Sequence, residues 1–203
     1  MNRRPEMKTN EITLRSLRPN KTQFQTRDDG DKFVIEGYFA VFNSNYDIFD
    51  GLSESIAPEA FDNTLNNDIR ALINHDTTLV VGRTKAGTLE LRTDNFGLFG
   101  RISINPKDLD AVNAYERVKR GDVDQCSIGF NIIREESEVR PDGAVHWTIR
   151  ELELFEVSIC TFPAYEETEI QARSKQAVDV KARQLDSLKE SMRKKLRKEE
   201  SNA

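Results

Sequence analysis

Short apolar runs separated by turn residues fill the middle of this 203-residue chain, and they limit most strongly what it can fold into. The first run, residues 33–42, is rich in β-branched and aromatic side chains. Residues 69–74, 78–84, 88–93 and 98–104 follow at regular intervals. Gly, Asn and Asp occupy the separators, as they do in tight connections between strands. Regular short strands of this kind favour a meander or a barrel over a sheet of alternating strands and helices.

One helix interrupts the predicted strands. Asn105 is expected to cap its start, with Pro106 at the first helical position, and Gly121 is expected to end it. Residues 125–133 and 145–162 are then predicted as strands because apolar and β-branched side chains dominate both. The middle of the chain is therefore expected to combine many strands with few helices.

Both ends of the chain differ from this middle. Residues 1–31 are polar and lack sustained periodicity, which predicts a flexible lead-in with one short strand near residues 12–17. Residues 173–203 carry ten Lys/Arg against five Asp/Glu, a net charge of +5, whereas the rest of the chain has −10. Their apolar residues recur at helical spacing in a stripe too narrow to hold an unpartnered helix. We therefore predict a lead-in (1–31), one domain (32–172) and a charged helical tail (173–203).

Charge, cysteine content and hydropathy argue against several classes of protein. An acidic body disfavours broad nucleic-acid binding, and no apolar run approaches the ~18 residues of a membrane span. The first residues lack the apolar stretch of a secretory signal, so we expect a protein that is not secreted. Two cysteines give no disulfide framework, and the sequence has neither a metal-binding motif nor a glycine-rich phosphate loop. No cofactor and no metal are expected.

Two histidines, His75 and His146, are the available imidazole bases. His75 follows the predicted strand 69–74, and a strand end is where a rigid sheet can direct a side chain into a cleft. His146 follows a turn and is expected to face solvent, so His75 is the better candidate base. Ser127 is the best candidate for a serine nucleophile. Alternation along its strand is expected to direct the adjacent Cys126 into the core.

An acid that could orient the histidine is expected in the last strand, which carries Glu151, Glu153 and Glu156. In a regular strand Glu156 lies on the face of the leucines, where a carboxylate is costly to bury unless it is paired. Glu156 is therefore the preferred partner of an imidazole, whereas Glu153 would share an exposed face with Glu151. A single bulge would exchange these faces. Glu153 and, as a second imidazole, His146 stay open as alternatives.

Four segments carry a family resemblance: IEGYFAVF (35–42), NHD (74–76), CSIGF (126–130) and LFEVSICTFPA (154–164). As an ordered set over about residues 32–170, they resemble the prohead serine protease family of tailed bacteriophages, which is distantly related to herpesvirus assemblin. The resemblance implies an α+β fold, with a compact, mainly antiparallel β-barrel and surrounding helices. It also implies a serine endopeptidase that matures a procapsid by cutting the scaffold, and often itself.

The same resemblance assigns roles to individual residues. His75 corresponds to the family base and Ser127 to its nucleophile. The third residue is histidine in the herpesvirus relatives, but the aligned segment here offers acids, and Glu156 is placed there.

The resemblance also implies partners and a location. The expected substrates are the capsid scaffold and the major capsid protein, and the protease is expected to associate with itself in the assembling procapsid, in the host cytoplasm. No membrane and no specific nucleic acid is expected as a partner. The competing hypothesis is a non-catalytic scaffold or assembly factor that binds capsid protein through the helical tail. Such a protein would have no need of a His75–Ser127 pair.

Overall fold

A computed structural model describes residues 13–17, 24–28, 33–162 and 167–200, and in them the chain is mostly strand with two α-helices. The strands are β1 (Thr13–Leu17), β2 (Gln25–Asp28), β3 (Phe33–Val41), β4 (Tyr46–Phe49), β5 (Leu52–Ile56), β6 (Arg70–Ile73), β7 (Asp76–Arg83), β8 (Leu89–Thr93), β9 (Gly97–Ile104), β10 (Gln125–Val139) and β11 (Val145–Cys160). The helices are α1 (Leu109–Arg120) and α2 (Glu167–Glu200). The predicted α+β class is confirmed.

The described strands form two sheets. In the first, β1, β10, β11, β5 and β4 are hydrogen-bonded in that order, with β6 beside β11 and β7 beside β6. The second contains β2, β3, β9 and β8 in that order. All these pairings are antiparallel except those of β11 with β5 and with β6. No closed barrel is detected among the described residues, so the predicted barrel stays unconfirmed.

One hydrophobic core lies between the two sheets and α1. Its largest fully buried side chains include Phe39 on β3, Ile102 on β9, Tyr115 on α1, Phe130 on β10 and Leu152 on β11. Each such side chain contributes roughly 1.5–3 kcal/mol to stability when it is removed from water. The core therefore fixes β10 and β11, the two longest strands, against the second sheet.

The meander predicted for residues 78–104 is wrong at one connection. β7 pairs with β6 in the first sheet, whereas β8 and β9 pair with each other in the second. A 3₁₀ turn at Thr84–Ala86 joins β7 to β8 and ends at Gly87, whose φ of 68° is a left-handed conformation that glycine adopts without steric penalty. The same turn residues would serve a hairpin, so the local sequence could not distinguish a hairpin from a crossing between sheets.

Helix α1 begins later than predicted. Asp108, not Asn105, is the N-cap, and its carboxylate accepts hydrogen bonds from two backbone N–H groups of the first helical turn. Asn105 caps a separate turn just before it by accepting from the N–H of Lys107. The predicted end at Gly121 is confirmed, with a φ of 83° at that glycine.

The ends of the chain add two strands and a helix to this body. The short strand predicted near residues 12–17 is confirmed as β1, and β2, which was not predicted, pairs with β3. Helix α2 packs on the first sheet through Arg173 and Ala177, which are buried. The Arg173 guanidinium binds Glu54 at 3.3 Å and lies over the ring of Trp147. The limit at residue 172 stays a prediction, but the first turns of the tail touch the body.

The rest of α2 extends away from the sheets. From residue 181 to residue 190 every residue of the helix is exposed, apolar and charged side chains alike. No helix in the described part of the chain combines the length and apolarity that a bilayer crossing requires.

Candidate active site

His75 occupies the tight turn between β6 and β7. Asn74 and His75 alone connect the two strands, and both have positive φ, 50° and 61°. Such values suit a type I′ hairpin turn, which strongly prefers glycine or asparagine at these positions. A histidine held there stores roughly 1–3 kcal/mol of backbone strain, a feature that clusters at functional sites. The turn is anchored to β11, because Asn74 donates its N–H to the carbonyl oxygen of Ile159 at 2.9 Å.

The imidazole of His75 is held by Glu156 of β11. Nδ1 lies 2.6 Å from Oε1 of the glutamate. Because a carboxylate oxygen only accepts hydrogen bonds, Nδ1 carries the proton and Nε2 of the neutral ring keeps its lone pair. The two side chains are 15% and 10% exposed, so the bond is largely shielded from water. This is the arrangement of a base oriented by an acid.

A β-bulge decides which face of β11 Glu156 lies on. Glu156 is opposite Gly129, but Leu154 is opposite Phe130, so Phe155 is an extra residue on β11. Leu154 and Phe130 face the core. The predicted face was therefore wrong: the bulge moves Glu156 off the leucine face and onto the face that carries the candidate nucleophile.

Ser127 lies on the same face of the first sheet as this acid. It is directly opposite Ser158 on β11, so the two side chains project from one face of the sheet, which also carries Glu156 and Cys160. The Cys160 Sγ is 3.8 Å from Nε2 of His75, so the imidazole ring lies over this face of β11. Ser127 is fully buried, so its hydroxyl must be uncovered before it can reach a peptide.

The two cysteines are buried on opposite faces of the first sheet. Cys126 belongs to the core, which confirms the prediction that alternation turns it away from the face of Ser127. Burial, with a smaller contribution from Glu156, raises the pKa of Cys160 to about 12. Its thiol therefore stays protonated at neutral pH and is a poor nucleophile, because the thiolate is the reactive form.

The prediction that His146 faces solvent is wrong. The ring is buried, with Nδ1 2.9 Å from the Ser53 Oγ and Nε2 2.9 Å from the Ser55 Oγ, both on β5. Burial is the main reason why the pKa of His146 is lowered. Both ring nitrogens are thus bound to serines of β5, and the structure does not bring His146 together with His75.

The other two acids of β11 have different surroundings from Glu156. Glu151 accepts a hydrogen bond from the side chain of Asn63 at 3.1 Å. Glu153 is opposite Asn131 and is exposed. Among the described contacts of these three acids, the one to an imidazole belongs to Glu156.

The chain also matches a known protein family. The family model of the caudovirus prohead serine protease matches residues 20–183. The chain belongs to this family and is a serine peptidase of the capsid-maturation class, as the sequence predicted.

The chain is also similar to individual proteins. The chain is similar to the prohead protease of Enterobacteria phage HK97, at 31% identity over 163 residues that cover 78% of this chain and 68% of the relative. Among solved structures, it is similar to the capsid assembly protease of bacteriophage T4, at 10% identity and a TM-score of 0.45. That similarity covers 75% of this chain and 98% of the other.

Gly129 has no side chain, and the Glu156 carboxylate occupies the space that a Cβ would fill. A Cβ at this position would overlap the Glu156 carboxylate and lie 2.9 Å from its Cγ. Gly129→Ala should therefore push Glu156 away from His75 and lower turnover by about 100-fold, the cost of a misplacement near 1 Å.

Gly100→Ala is the matched control, because its Cβ would overlap Phe39 in the core. It should lower the unfolding midpoint in urea without changing turnover per folded molecule. Wild-type turnover in folded Gly129→Ala would mean that the contact between Glu156 and His75 is not required.

Proposed function

We propose that Ser127, His75 and Glu156 form the catalytic triad of this peptidase. Ser127 attacks the scissile carbonyl, and Nε2 of His75 takes its proton and returns it to the leaving amine. Glu156 orients the ring and stabilises its charged form. The 2.6 Å hydrogen bond between His75 and Glu156 carries the proposal, because it commits Nδ1 and leaves Nε2 as the basic atom. A water molecule activated by the same base then releases the acyl group.

The proposed substrates are prosegments of the capsid scaffold and major capsid protein, together with the protease itself, cut inside the assembling procapsid in the host cell. Membership of the prohead protease family supports this substrate class. The herpesvirus-protease-like barrel belongs to the same proposal. One core shared by two sheets and flanked by α1 supports it.

The tail is proposed to bring the protease to the shell, as the assembly-factor hypothesis would also require. Four large apolar side chains of α2 are more than half exposed: Val178, Leu185, Leu188 and Met192. They lie among basic residues that give the tail its net charge of +5. Such a surface suits an acidic, partly apolar partner such as a scaffold or capsid protein. Delivery would also concentrate the protease and favour self-association and self-cleavage.

A fluorophosphonate probe tests the triad directly. These reagents bond to a serine whose proton a neighbouring base can remove. We expect saturable labelling, with peptide mass mapping that locates the adduct on Ser127. Heat-denatured protein is the control and should not be labelled. An adduct on any other serine would reject the assignment of the nucleophile, and labelling of the denatured control would show that activation by a base is absent.

Two truncations of the tail should distinguish the turns of α2 that stabilise the fold from the turns that are exposed. A chain that ends at residue 172 lacks Arg173, the cation that pairs with buried Glu54, and should lose about 3–5 kcal/mol of unfolding free energy. A chain that ends at residue 181 keeps this pair and should be as stable as the full chain in urea. Both should cleave a supplied scaffold peptide as folded proteins but fail to enter procapsids. Equal stability of the two truncated chains would contradict the anchoring role of Arg173.

A further inference from the structure

Ser158 makes two hydrogen bonds that join the proposed acid to the proposed base. Its hydroxyl donates to Oε2 of Glu156 at 2.6 Å. The Ser158 Oγ also accepts a hydrogen bond from the backbone N–H of His75, at 3.2 Å. Ser158 is fully buried, so water does not compete for either bond. One hydroxyl thus touches both the carboxylate and the strained residue that carries the imidazole.

The two bonds fix different degrees of freedom. Glu156 gives Oε1 to the imidazole and Oε2 to Ser158, so both oxygens are held and the carboxylate cannot rotate away from the ring. The bond to the His75 N–H ties the left-handed turn to β11. A reacting geometry held at both ends in this way is what a preorganised site requires.

We propose that Ser158 is a positioning residue of this peptidase, acting through Glu156 and the backbone of His75. The inference rests on the proposed triad. Ser158 does not act as a nucleophile itself, because its proton goes to a carboxylate and its contact with His75 is to the main chain. The ring nitrogens of His75 contact Glu156 and Cys160 instead. The sequence held a partial signal, since residues two apart on a strand share a face.

The pair Ser158→Thr and Ser158→Val isolates the hydroxyl, since the two side chains have nearly the same shape. The readout is fluorophosphonate labelling of the full chain, measured as the limiting rate at saturating probe and the probe concentration at half that rate. Ser158→Thr should stay within a few-fold of wild type. Ser158→Val should lower the limiting rate by about 100-fold, as a misplaced base would, and leave the half-saturating concentration unchanged. Equal limiting rates in the two variants would overturn the proposal.

Combination with Glu156→Gln tests whether Ser158 acts through the acid. If it does, Ser158→Val should slow the Glu156→Gln variant by much less than it slows wild type, because the geometry it protects is already lost. A purely structural effect would multiply with that of Glu156→Gln. Multiplying losses would therefore overturn the proposal even if Ser158→Val is slow by itself.

Ser53→Val is the matched control, because Ser53 is also a buried serine hydroxyl bonded to a histidine, in this case His146. It should lower the urea midpoint by about as much as Ser158→Val does, and keep the wild-type limiting rate per folded molecule. An equal loss of rate in Ser53→Val would reject a specific role for Ser158.

The triad and the positioning role fail in different ways. Full labelling of Ser127→Ala would reject the triad and with it the inference. Loss of labelling in Ser127→Ala and His75→Asn, with a wild-type rate in Ser158→Val, would reject the positioning role alone.

Discussion

Ser127→Ala should abolish proteolysis and leave the fold intact. The change removes the attacking oxygen and keeps a small side chain at a fully buried strand position, so β10 retains its pairing with β1 and β11. Loss of the serine of a triad lowers turnover by about 10⁶-fold, which puts the variant below detection. Intact-mass measurement after incubation at high concentration would report the loss, since the wild-type chain should yield self-cleavage fragments and Ser127→Ala a single full-length mass.

Cys126→Ala is the control for this result. The cysteine is adjacent to Ser127 but lies in the core on the opposite face, so its removal should cost stability and spare the cleavage pattern. Fragments formed by Ser127→Ala at the wild-type rate, together with an inactive but folded Cys126→Ala, would move the nucleophile by one residue. Fragments from neither wild type nor variant would favour the non-catalytic assembly factor.

Strand β5 shows where local sequence patterns stop being informative. Its residues, Leu52–Ile56, are all buried, although the centre of the strand reads Ser-Glu-Ser and was not among the predicted strands. Each polar side chain is satisfied by a distant part of the chain: Ser53 and Ser55 by His146, and Glu54 by Arg173. A buried polar strand is stable only with such partners. By contrast, β3 and β11 were predictable because their apolar residues need no particular partner.

The site was predictable in its residue types but not in its geometry. Glu156 was the preferred acid on the argument that a regular strand would bury it among leucines, yet the bulge at Phe155 places it on the other face, against His75. A bulge adds one residue without a distinctive sequence signal. The left-handed conformation of the turn at Asn74 and His75 could not be predicted for a related reason. A histidine stands where a hairpin of this kind prefers glycine.

His75→Asn and His146→Asn should have opposite effects on activity and stability, and this contrast is the sharpest test of which imidazole is the base. Asparagine tolerates the left-handed backbone at residue 75, so the turn should survive, but an amide cannot take a proton. We expect turnover by His75→Asn to fall by at least about 10⁴-fold, with an unfolding midpoint close to that of wild type. Intact-mass kinetics and urea unfolding on the same samples would give both quantities.

The same substitution at residue 146 removes a ring that bonds Ser53 and Ser55 inside the sheet. Loss of those bonds should cost about 1–3 kcal/mol of unfolding free energy, because two buried hydroxyls lose their partner. Turnover per folded molecule should nevertheless stay near wild type, since both nitrogens of His146 bind serines of β5. If both variants instead lost turnover by similar factors while folded, two imidazoles would serve the chemistry, as in the herpesvirus pattern. Glu156 would then be left with a structural role, in which its bond to His75 holds the strained turn in place.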